Sequence, residues 1–302
     1  MKYSLMTEPH MGGTYQQQLD AASWAEAAGL VSFARCDHYL SNRDPVPPAT
    51  DAFAVLAGLS RDTSSIRLCV LVSPITFRHP AVIAKNAATI DQMSGGRFDL
   101  GVGTGWMDHE HEAFGIPFPD SSERWDRFEE ALDFLQAAFG EGRSIYNGEY
   151  YSLDAEVNPK PTGLRLVLGG SGPHRTPTLA GTVADEYNFF TCRPDEAKAK
   201  IEVMRKAAGA RRVEATVMGP VLVGRDESEY RERLAKAASA RDIPPEELEK
   251  RWTNAGLVVG AHDRVAEQIA ALEEAGVERM YVQWIDLDDL DGMKQSIEVL
   301  TG

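Results

Sequence analysis

Eight short apolar runs rich in β-branched residues alternate along the chain with longer segments of helical period. Apolar runs of this length, separated by amphipathic segments, are typical of buried parallel strands connected by crossover helices. The sequence therefore predicts a regular β/α alternation. The predicted strands are Tyr3–Met6, Val31–Cys36, Ile66–Val72, Phe98–Val102, Leu164–Leu168, Tyr187–Phe190, Thr216–Val223 and Met280–Ile285.

The segments between these strands carry local signals for helices. Asp120 and Glu123 have the spacing of a capping box, which satisfies backbone N–H groups where a helix starts. Gly29 and Gly276 each follow a helical segment and precede a predicted strand, as a glycine that ends a helix does. This repetition indicates one kind of β/α unit rather than two unlike domains. The apolar face of the helix after Asp120 is formed by Trp125, Phe128, Leu132, Leu135 and Phe139.

Eight such units point to one fold class. A (β/α)8 barrel needs eight parallel strands and typically ~250 residues, and this chain has 302. An open doubly wound sheet usually has fewer strands and a glycine-rich nucleotide motif after the first, and no such motif follows Tyr3–Met6. We therefore expect an α/β fold, a (β/α)8 TIM barrel, as a single domain over residues 1–302. Short insertions are expected at Gly142–Gly163 and Ser239–Asn254.

Charge and composition limit the partners. The net charge of −15 repels nucleic acid and anionic membrane surfaces at long range. The three cysteines, Cys36, Cys69 and Cys192, are too scattered for a disulfide framework, which is typical of a reducing compartment. The first residues do not have the pattern of a signal peptide, and no apolar stretch approaches the ~20 residues that span a membrane. We expect a cytoplasmic protein that binds a small molecule, with no nucleic acid and no membrane.

In a barrel, reactive groups lie where the strands end and the following loops begin. Asp37 and His38 follow the second predicted strand, and a glycine-rich turn with Trp106 follows the fourth. An imidazole at such a position can exchange a proton near neutral pH or hydrogen-bond to a cofactor ring, although His38 can also be a structural histidine. The strand ends lack a nucleophile motif. Their lining is typical of a site for a large phosphorylated cofactor that brings its own chemistry.

Two glycine-rich turns follow predicted strands. Gly169–Gly172 precedes a helical segment. Its backbone N–H groups and the helix dipole can bind phosphate there. The alternative is that the four residues form only a tight turn. Gly101–Gly105 does not have the spacing of a dinucleotide fingerprint. Its glycines indicate a close backbone approach, either to neighbouring strands or to a flat ring.

Two polar clusters deserve comparison with metal sites. A helix over Asp108–Glu112 would point His109 and His111 apart, so a solvated loop or helix start is expected there. The acidic segment Asp286–Asp291 does not fit the calcium-loop pattern and predicts carboxylates at the start of the final helix. We therefore expect no metal site.

Two long segments, Pro74–Lys85 and Asp91–Trp106, resemble the bacterial-luciferase-like superfamily. The pair Asp37-His38, the segment Glu112–Pro117 and the turn Gly169–Gly172 extend this likeness over nearly the whole chain. Within the superfamily, the sequence is most similar to oxidoreductases that depend on the deazaflavin coenzyme F420.

The resemblance implies a barrel, commonly a homodimer, that holds a flavin-like ring at its C-terminal mouth. F420 is the expected cofactor and FMN the alternative. Many members have a non-proline cis peptide in a bulge that ends the third strand, which here falls within Val70–Ser73 and would support the ring. The candidate cofactor-binding residues are Asp37, His38, Val72, Ser73, Thr76, Gly103, Gly105, Gly169, Gly170, Ser171, Gly172 and Thr191, with Gly170, Ser171 and Gly172 at the phosphate.

The resemblance also implies hydride transfer between F420 and a small organic substrate. On this hypothesis His38 donates or accepts the proton, Asp37 orients it, and Trp106 forms an apolar wall on the substrate side. In the sugar-phosphate dehydrogenases of the family, a glutamate just after the fourth-strand glycines acts as the acid, and this chain has Trp106 at that position. Two alternatives stay open: a monooxygenase that uses reduced FMN and oxygen, and a flavin-binding barrel without catalytic activity.

Overall fold

The structure, a computed structural model, describes residues 1–302 and contains eleven strands. Their bounds are β1 Lys2–Thr7, β2 Ser32–Arg35, β3 Arg67–Pro74, β4 Phe98–Gly103, β5 Arg143–Asn147, β6 Ser152–Glu156, β7 Arg165–Gly169, β8 Glu186–Phe190, β9 Glu214–Gly224, β10 Val258–Ala261 and β11 Arg279–Trp284.

Eight of these strands pair in parallel with their neighbours and close a barrel, in the order β9, β11, β1, β2, β3, β4, β7 and β8. Pairing of β8 with β9, from Glu186 opposite Glu214 to Phe190 opposite Met218, completes the closure. The barrel strands are the eight predicted from the sequence, with ends that differ by at most two residues. The expected (β/α)8 TIM barrel is therefore confirmed.

Parallel pairing requires long crossover connections, and helices provide them. None of the helices is both long enough and apolar enough to cross a membrane. Their bounds are α1 Tyr15–Ala27, α2 Ala52–Asp62, α3 Pro80–Ser94, α4 Asp108–Phe114, α5 Ser121–Phe139, α6 Arg175–Val183, α7 Pro194–Ala208, α8 Glu227–Ser239, α9 Pro245–Asn254, α10 His262–Glu274 and α11 Leu290–Thr301.

Helix starts follow the local signals, with one difference. The side chain of Asp120 accepts hydrogen bonds from the backbone N–H groups of Ser122 and Glu123 at the start of α5. Glu123 does not complete the expected capping box, because its carboxylate accepts a hydrogen bond of 2.8 Å from Arg127. Asp289 caps α11, as the acidic segment before the final helix predicts.

Both expected insertions have regular structure. Gly142–Gly163 contains the antiparallel hairpin of β5 and β6, and Ser239–Asn254 contains α9. β10 is not among the predicted strands. It has four residues and pairs only with Val221–Gly224 of β9, outside the closed barrel. So short a run resembles a loop in sequence, since its pairing depends on the extra length of β9.

Charged side chains occupy the barrel interior at the N-terminal ends of the strands. Arg279, which starts β11, forms an ion pair with Glu186, which starts β8, and neither side chain is more than 1 % exposed. Thr216 donates a hydrogen bond of 2.7 Å to Glu186, and Glu214 lies 3.3 Å from Arg279. Burial raises the pKa of Glu186 above its ordinary value in spite of the positive charge of Arg279. A polar network thus fills this end of the barrel.

Candidate active site

A cavity of about 510 Å³ lies at the C-terminal ends of the barrel strands, where TIM barrels carry their reactive groups. The turn after β2 and the glycine-rich turn after β7 face the same space. The sequence-predicted residues that line it are His38, Val72, Gly103, Gly105, Trp106, Gly169, Gly170 and Ser171. Those that do not line it are Asp37, Ser73, Thr76, Gly172 and Thr191.

His38 is held in one orientation at the cavity wall. Its Nδ1 lies 2.8 Å from Oε1 of Glu110, and Oε2 of Glu110 accepts a hydrogen bond of 2.9 Å from the backbone N–H of Tyr39. Burial alone would lower the pKa of His38, but the hydrogen bond and charge of Glu110 outweigh it and the pKa is raised. The other ring nitrogen, Nε2, makes no hydrogen bond within the protein, which leaves it for a ligand.

The position of Glu110 corrects the expectation for Asp108–Glu112. This segment begins α4, and Glu110 and His111 are buried at 1 % exposure each rather than solvated. His109 is exposed, so the two histidines do point apart. The sequence carries no local signal for the buried carboxylate, because its partner His38 is 72 residues away.

Asp37 does not orient His38, contrary to the expectation. Its carboxylate forms an ion pair with Arg78 and accepts a hydrogen bond of 2.7 Å from Ser73. Consecutive side chains of an extended segment point to opposite sides, so Asp37 faces the protein where His38 faces the cavity. Arg78 also lies 2.6 Å from Asp51, at the start of α2. Asp37 and Ser73 are therefore positioning residues for the loops after β2 and β3.

Thr76 supports the site indirectly. Its Oγ1 lies 2.7 Å from Nε2 of His111, and Nδ1 of His111 lies 2.7 Å from the carbonyl oxygen of Met107. A carbonyl oxygen only accepts, so Nδ1 of His111 is the donor in the bond to Met107. The bond between Thr76 and His111 attaches α4, which carries Glu110, to the loop after β3.

The end of β3 bulges toward the cavity. The Leu71–Val72 peptide is cis and lies within Val70–Ser73, where the resemblance places such a bond, and the pairing with β4 shifts register in the same segment. A Cβ on Gly103 would lie 2.9 Å from one methyl group of Val72, and a Cβ on Gly169 would lie 2.6 Å from the other. These glycines make room for the bulge. For Gly103, this supports the first of the two explanations that the sequence left open, a close approach to a neighbouring strand rather than to a flat ring.

The turn after β7 presents free backbone N–H groups. The N–H groups of Ser171 and Gly172 have no partner within the protein. Both residues precede the N-terminus of α6, which is the positive end of the helix dipole. The N–H of Gly170 is already bonded to the carbonyl oxygen of Asn188 at 3.0 Å, so Gly170 cannot donate to a phosphate as expected. It instead leaves space, since a Cβ there would lie 2.8 Å from Thr176. Two free N–H groups at a helix start fit an anionic group.

Thr191 packs between strands rather than facing the cavity. Its side chain is buried at 2 % exposure, and its Oγ1 has no hydrogen-bond partner. A Cβ on Gly219 of β9 would lie 2.6 Å from this oxygen. The expected contact between Thr191 and a cofactor therefore has no support in the cavity lining.

The cavity mouth is apolar. The side chain of Trp106 is 70 % exposed, and its ring meets that of His38 edge-on with 5.6 Å between centroids. Phe190, also partly exposed, lines the same cavity. No lysine or arginine lines the cavity, whereas Glu8 and Glu110 do. A negatively charged substrate would find no lysine or arginine side chain to pair with here.

A second polar cluster, not predicted from the sequence, lies beside His38. Nδ1 of His10 is 3.3 Å from Oε2 of Glu8 and 3.2 Å from Sγ of Cys36, and the rings of His10 and His38 are 4.8 Å apart. Gln283 donates a hydrogen bond of 2.6 Å to Oε1 of Glu8. Burial would raise the pKa of Glu8, but hydrogen bonds from His10 and Cys36 outweigh it and the pKa is lowered. Burial raises the pKa of Cys36 well above its usual range.

We expect Glu110→Gln to lower the pKa of His38. The amide can still accept a hydrogen bond, but it lacks the charge that outweighs burial. A histidine with a raised pKa stabilises the fold in full below its unfolded pKa of ~6.5 and loses that contribution as pH rises through its folded pKa. The variant should therefore lose stability mainly at acidic pH. Titration of the His38 imidazole by NMR measures its pKa directly.

Glu112→Gln is the matched control for this titration. Glu112 is exposed on the same helix, so its replacement should leave the pKa of His38 unchanged. An equal pKa for His38 in the wild type and in Glu110→Gln would contradict the charge stabilisation described above.

Residues 1–279 match the family model described as luciferase-like monooxygenase. The chain is 31% identical over 274 residues to the F420-dependent glucose-6-phosphate dehydrogenase of Beutenbergia cavernae, which covers 88% of this chain and 78% of that protein. It is 38% identical over 143 residues to the pyrimidine monooxygenase RutA of Yersinia enterocolitica. That second match spans 46% of this chain and only 38% of the relative.

Solved structures with either kind of cofactor share the fold. An F420-dependent secondary alcohol dehydrogenase, solved with an F420–acetone adduct, has a TM-score of 0.78 and 20% identity over 99% of this chain and 98% of its own. The oxygenating constituent of 3,6-diketocamphane monooxygenase of Pseudomonas putida, solved with FMN, has a TM-score of 0.75 and 19% identity over 99% and 96%. Because the family model extends over most of its length, the chain belongs to the luciferase-like monooxygenase family.

Proposed function

We propose that the protein is an F420-dependent oxidoreductase that transfers a hydride between the deazaflavin and a small uncharged organic substrate. The observation that carries the proposal is the His38–Glu110 pair at the wall of a cavity that is also lined by Ser171, whose backbone N–H is free in the turn before α6. A bound deazaflavin supplies the carbon that gives or takes the hydride. The chain itself orients the reactants and handles the proton.

His38 is the proposed proton donor or acceptor. The 2.8 Å bond between Nδ1 and Glu110 leaves Nε2 as the ring atom available on the cavity side. Glu110 raises the pKa of His38 above its ordinary value, which favours the protonated ring that would pass a proton to a substrate oxygen. Trp106, edge-on to His38, forms an apolar wall on the substrate side.

The cavity fits a phosphorylated ring cofactor on three observations. Its volume of about 510 Å³ is within the range of ligand pockets. Val72 enters it on the bulge of β3 and would support one face of a flat ring. The free N–H groups of Ser171 and Gly172, next to α6, would bind the phosphate.

The absence of basic residues from the cavity lining favours an uncharged substrate. A sugar phosphate needs a second anion site, and the cavity wall carries the carboxylates of Glu8 and Glu110 instead. Trp106 also occupies the position where, by the resemblance, sugar-phosphate dehydrogenases have the glutamate that acts as the acid. We therefore propose an alcohol or carbonyl compound without a phosphate group.

A monooxygenase that uses reduced FMN and oxygen is the second candidate. The 38% identity to a pyrimidine monooxygenase favours it. We rank it second because that identity spans 46% of this chain, whereas the likeness to an F420-dependent dehydrogenase spans 88%.

Titration of the purified protein with F420 and with FMN tests the cofactor. We expect F420 to bind at least about tenfold more tightly, a difference of about 1.4 kcal/mol. Tighter binding of FMN, together with oxygen consumption in the presence of reduced FMN, would favour the monooxygenase. Tight binding without turnover over a broad panel of alcohols and ketones would favour a flavin-binding barrel without activity.

A further inference from the structure

Three metal-ligating side chains meet at the edge of the cavity, outside the His38–Glu110 pair. Glu8, His10 and Cys36 each present one ligand atom, and the three atoms lie within 4.8 Å of one another. All three side chains are buried, and Glu8 and Cys36 line the cavity. The cluster joins the ends of β1 and β2, which are neighbours only because the strands pair in the barrel.

Two of the three separations between these atoms are close to those between ligands of one tetrahedral ion. Metal bonds of ~2.0–2.2 Å to nitrogen and oxygen and ~2.3 Å to sulfur place adjacent ligands roughly 3.3–3.6 Å apart. Nδ1 of His10 lies 3.3 Å from Oε2 of Glu8 and 3.2 Å from Sγ of Cys36. A cation could therefore replace the protons that now connect these groups with little movement of the side chains.

The donor set selects the kind of cation. A thiolate and an imidazole are ligands for zinc and other thiophilic ions, whereas calcium and magnesium take oxygen ligands. Three protein ligands, rather than four, are typical of zinc sites that keep one position for water or another oxygen ligand.

Neighbouring groups hold the ligands in place. Gln283 donates to Oε1 of Glu8, which leaves Oε2 free to face His10. Cys36 is fixed on both sides, because its N–H donates to the carbonyl oxygen of Thr7 and its carbonyl oxygen accepts from Nε of Arg35. Outer partners of this kind orient metal ligands and raise the affinity of a site.

We propose that Glu8, His10 and Cys36 form a binding site for Zn²⁺, with one coordination position open to the cavity. Water, or an oxygen atom of a molecule in the cavity, completes the coordination. The test of the site uses the metal alone, without the redox cofactor, and leaves the proposed hydride transfer to its own experiment.

Titration of the full chain with Co²⁺, a spectroscopic substitute for Zn²⁺, tests the site. We expect the near-ultraviolet charge-transfer band of a cobalt–thiolate bond and the strong visible bands of tetrahedral Co²⁺. Cys36→Ser should abolish the charge-transfer band. Competition with a chromophoric chelator should show Zn²⁺ affinity lowered more than about 100-fold in Cys36→Ser and about 10–100-fold in Gln283→Leu, where only an outer partner is lost.

Cys69→Ser is the matched control. Cys69 is buried and its Sγ donates to the carbonyl oxygen of Val70, a bond that a hydroxyl can keep, so the cobalt band should persist. Zn²⁺ should raise the Tm of the wild type and of this control, but not that of His10→Gln, which retains all three thiols. Absence of the band in the wild type, or its survival in Cys36→Ser, would overturn the proposal.

Discussion

His38→Ala is expected to lower turnover by ~10²–10⁴-fold, the usual loss when an acid–base group is removed, while F420 still binds. The substitution removes Nε2, the one ring nitrogen of His38 that the protein leaves free at the cavity. Single-turnover assays with an alcohol or ketone that the wild type converts measure the loss of turnover. A parallel titration with F420 separates this loss from weaker cofactor binding.

His109→Ala is the matched control for this loss. His109 lies on α4 next to Glu110, but it is exposed, and its replacement should leave turnover unchanged. The pH profile adds a second readout. Glu110→Gln lowers the pKa of His38, so the limb of the kcat/KM profile that reports this group should move to lower pH. If His38→Ala turns over as fast as the wild type, His38 has no part in the proton transfer.

The sequence predicts the barrel well because its signals are local and repeated. Each barrel strand is a buried apolar run that recurs after a helical segment, so its position does not depend on knowing its partners. The same regularity places reactive groups at strand ends, which brings His38 and Ser171 to one cavity. The bulge within Val70–Ser73 follows from the resemblance and not from the strand pattern.

What the sequence could not predict are contacts between distant residues. Glu110 looks like part of a solvated acidic run until α4 folds over the site and buries it against His38. Asp37 is adjacent to His38 in sequence, but the alternation of side chains at the end of β2 turns it toward Arg78. Gly170 belongs to the expected phosphate turn, yet its N–H is used by the neighbouring strand β8. In each case the partner is set by packing of separate β/α units.

Arg279→Met is expected to destabilise the protein by about 3–5 kcal/mol, the usual loss when one partner of a buried ion pair is removed. The side chain of Glu186 is 0 % exposed and would lose the positive charge that now compensates its burial. Thr216 still donates a hydrogen bond to it, and Arg165 lies 3.5 Å away, but neither replaces the guanidinium of Arg279. Methionine keeps much of the volume, so the loss reports charge rather than a cavity. Urea denaturation at neutral pH measures it.

The pH dependence and two further variants separate this charge effect from packing. Without Arg279, the pKa of Glu186 rises further above its ordinary value, so the folded state takes up a proton that the unfolded chain does not. The destabilisation is then complete above the folded pKa and decreases as pH falls. The double variant Arg279→Met with Glu186→Gln should recover much of the loss, because position 186 then carries no charge that needs a partner. Arg212→Met breaks an ion pair with Glu278 in which Arg212 is 79% exposed, and it should change the stability little. Equal losses in Arg279→Met and Arg212→Met would contradict a stabilising role for the buried pair.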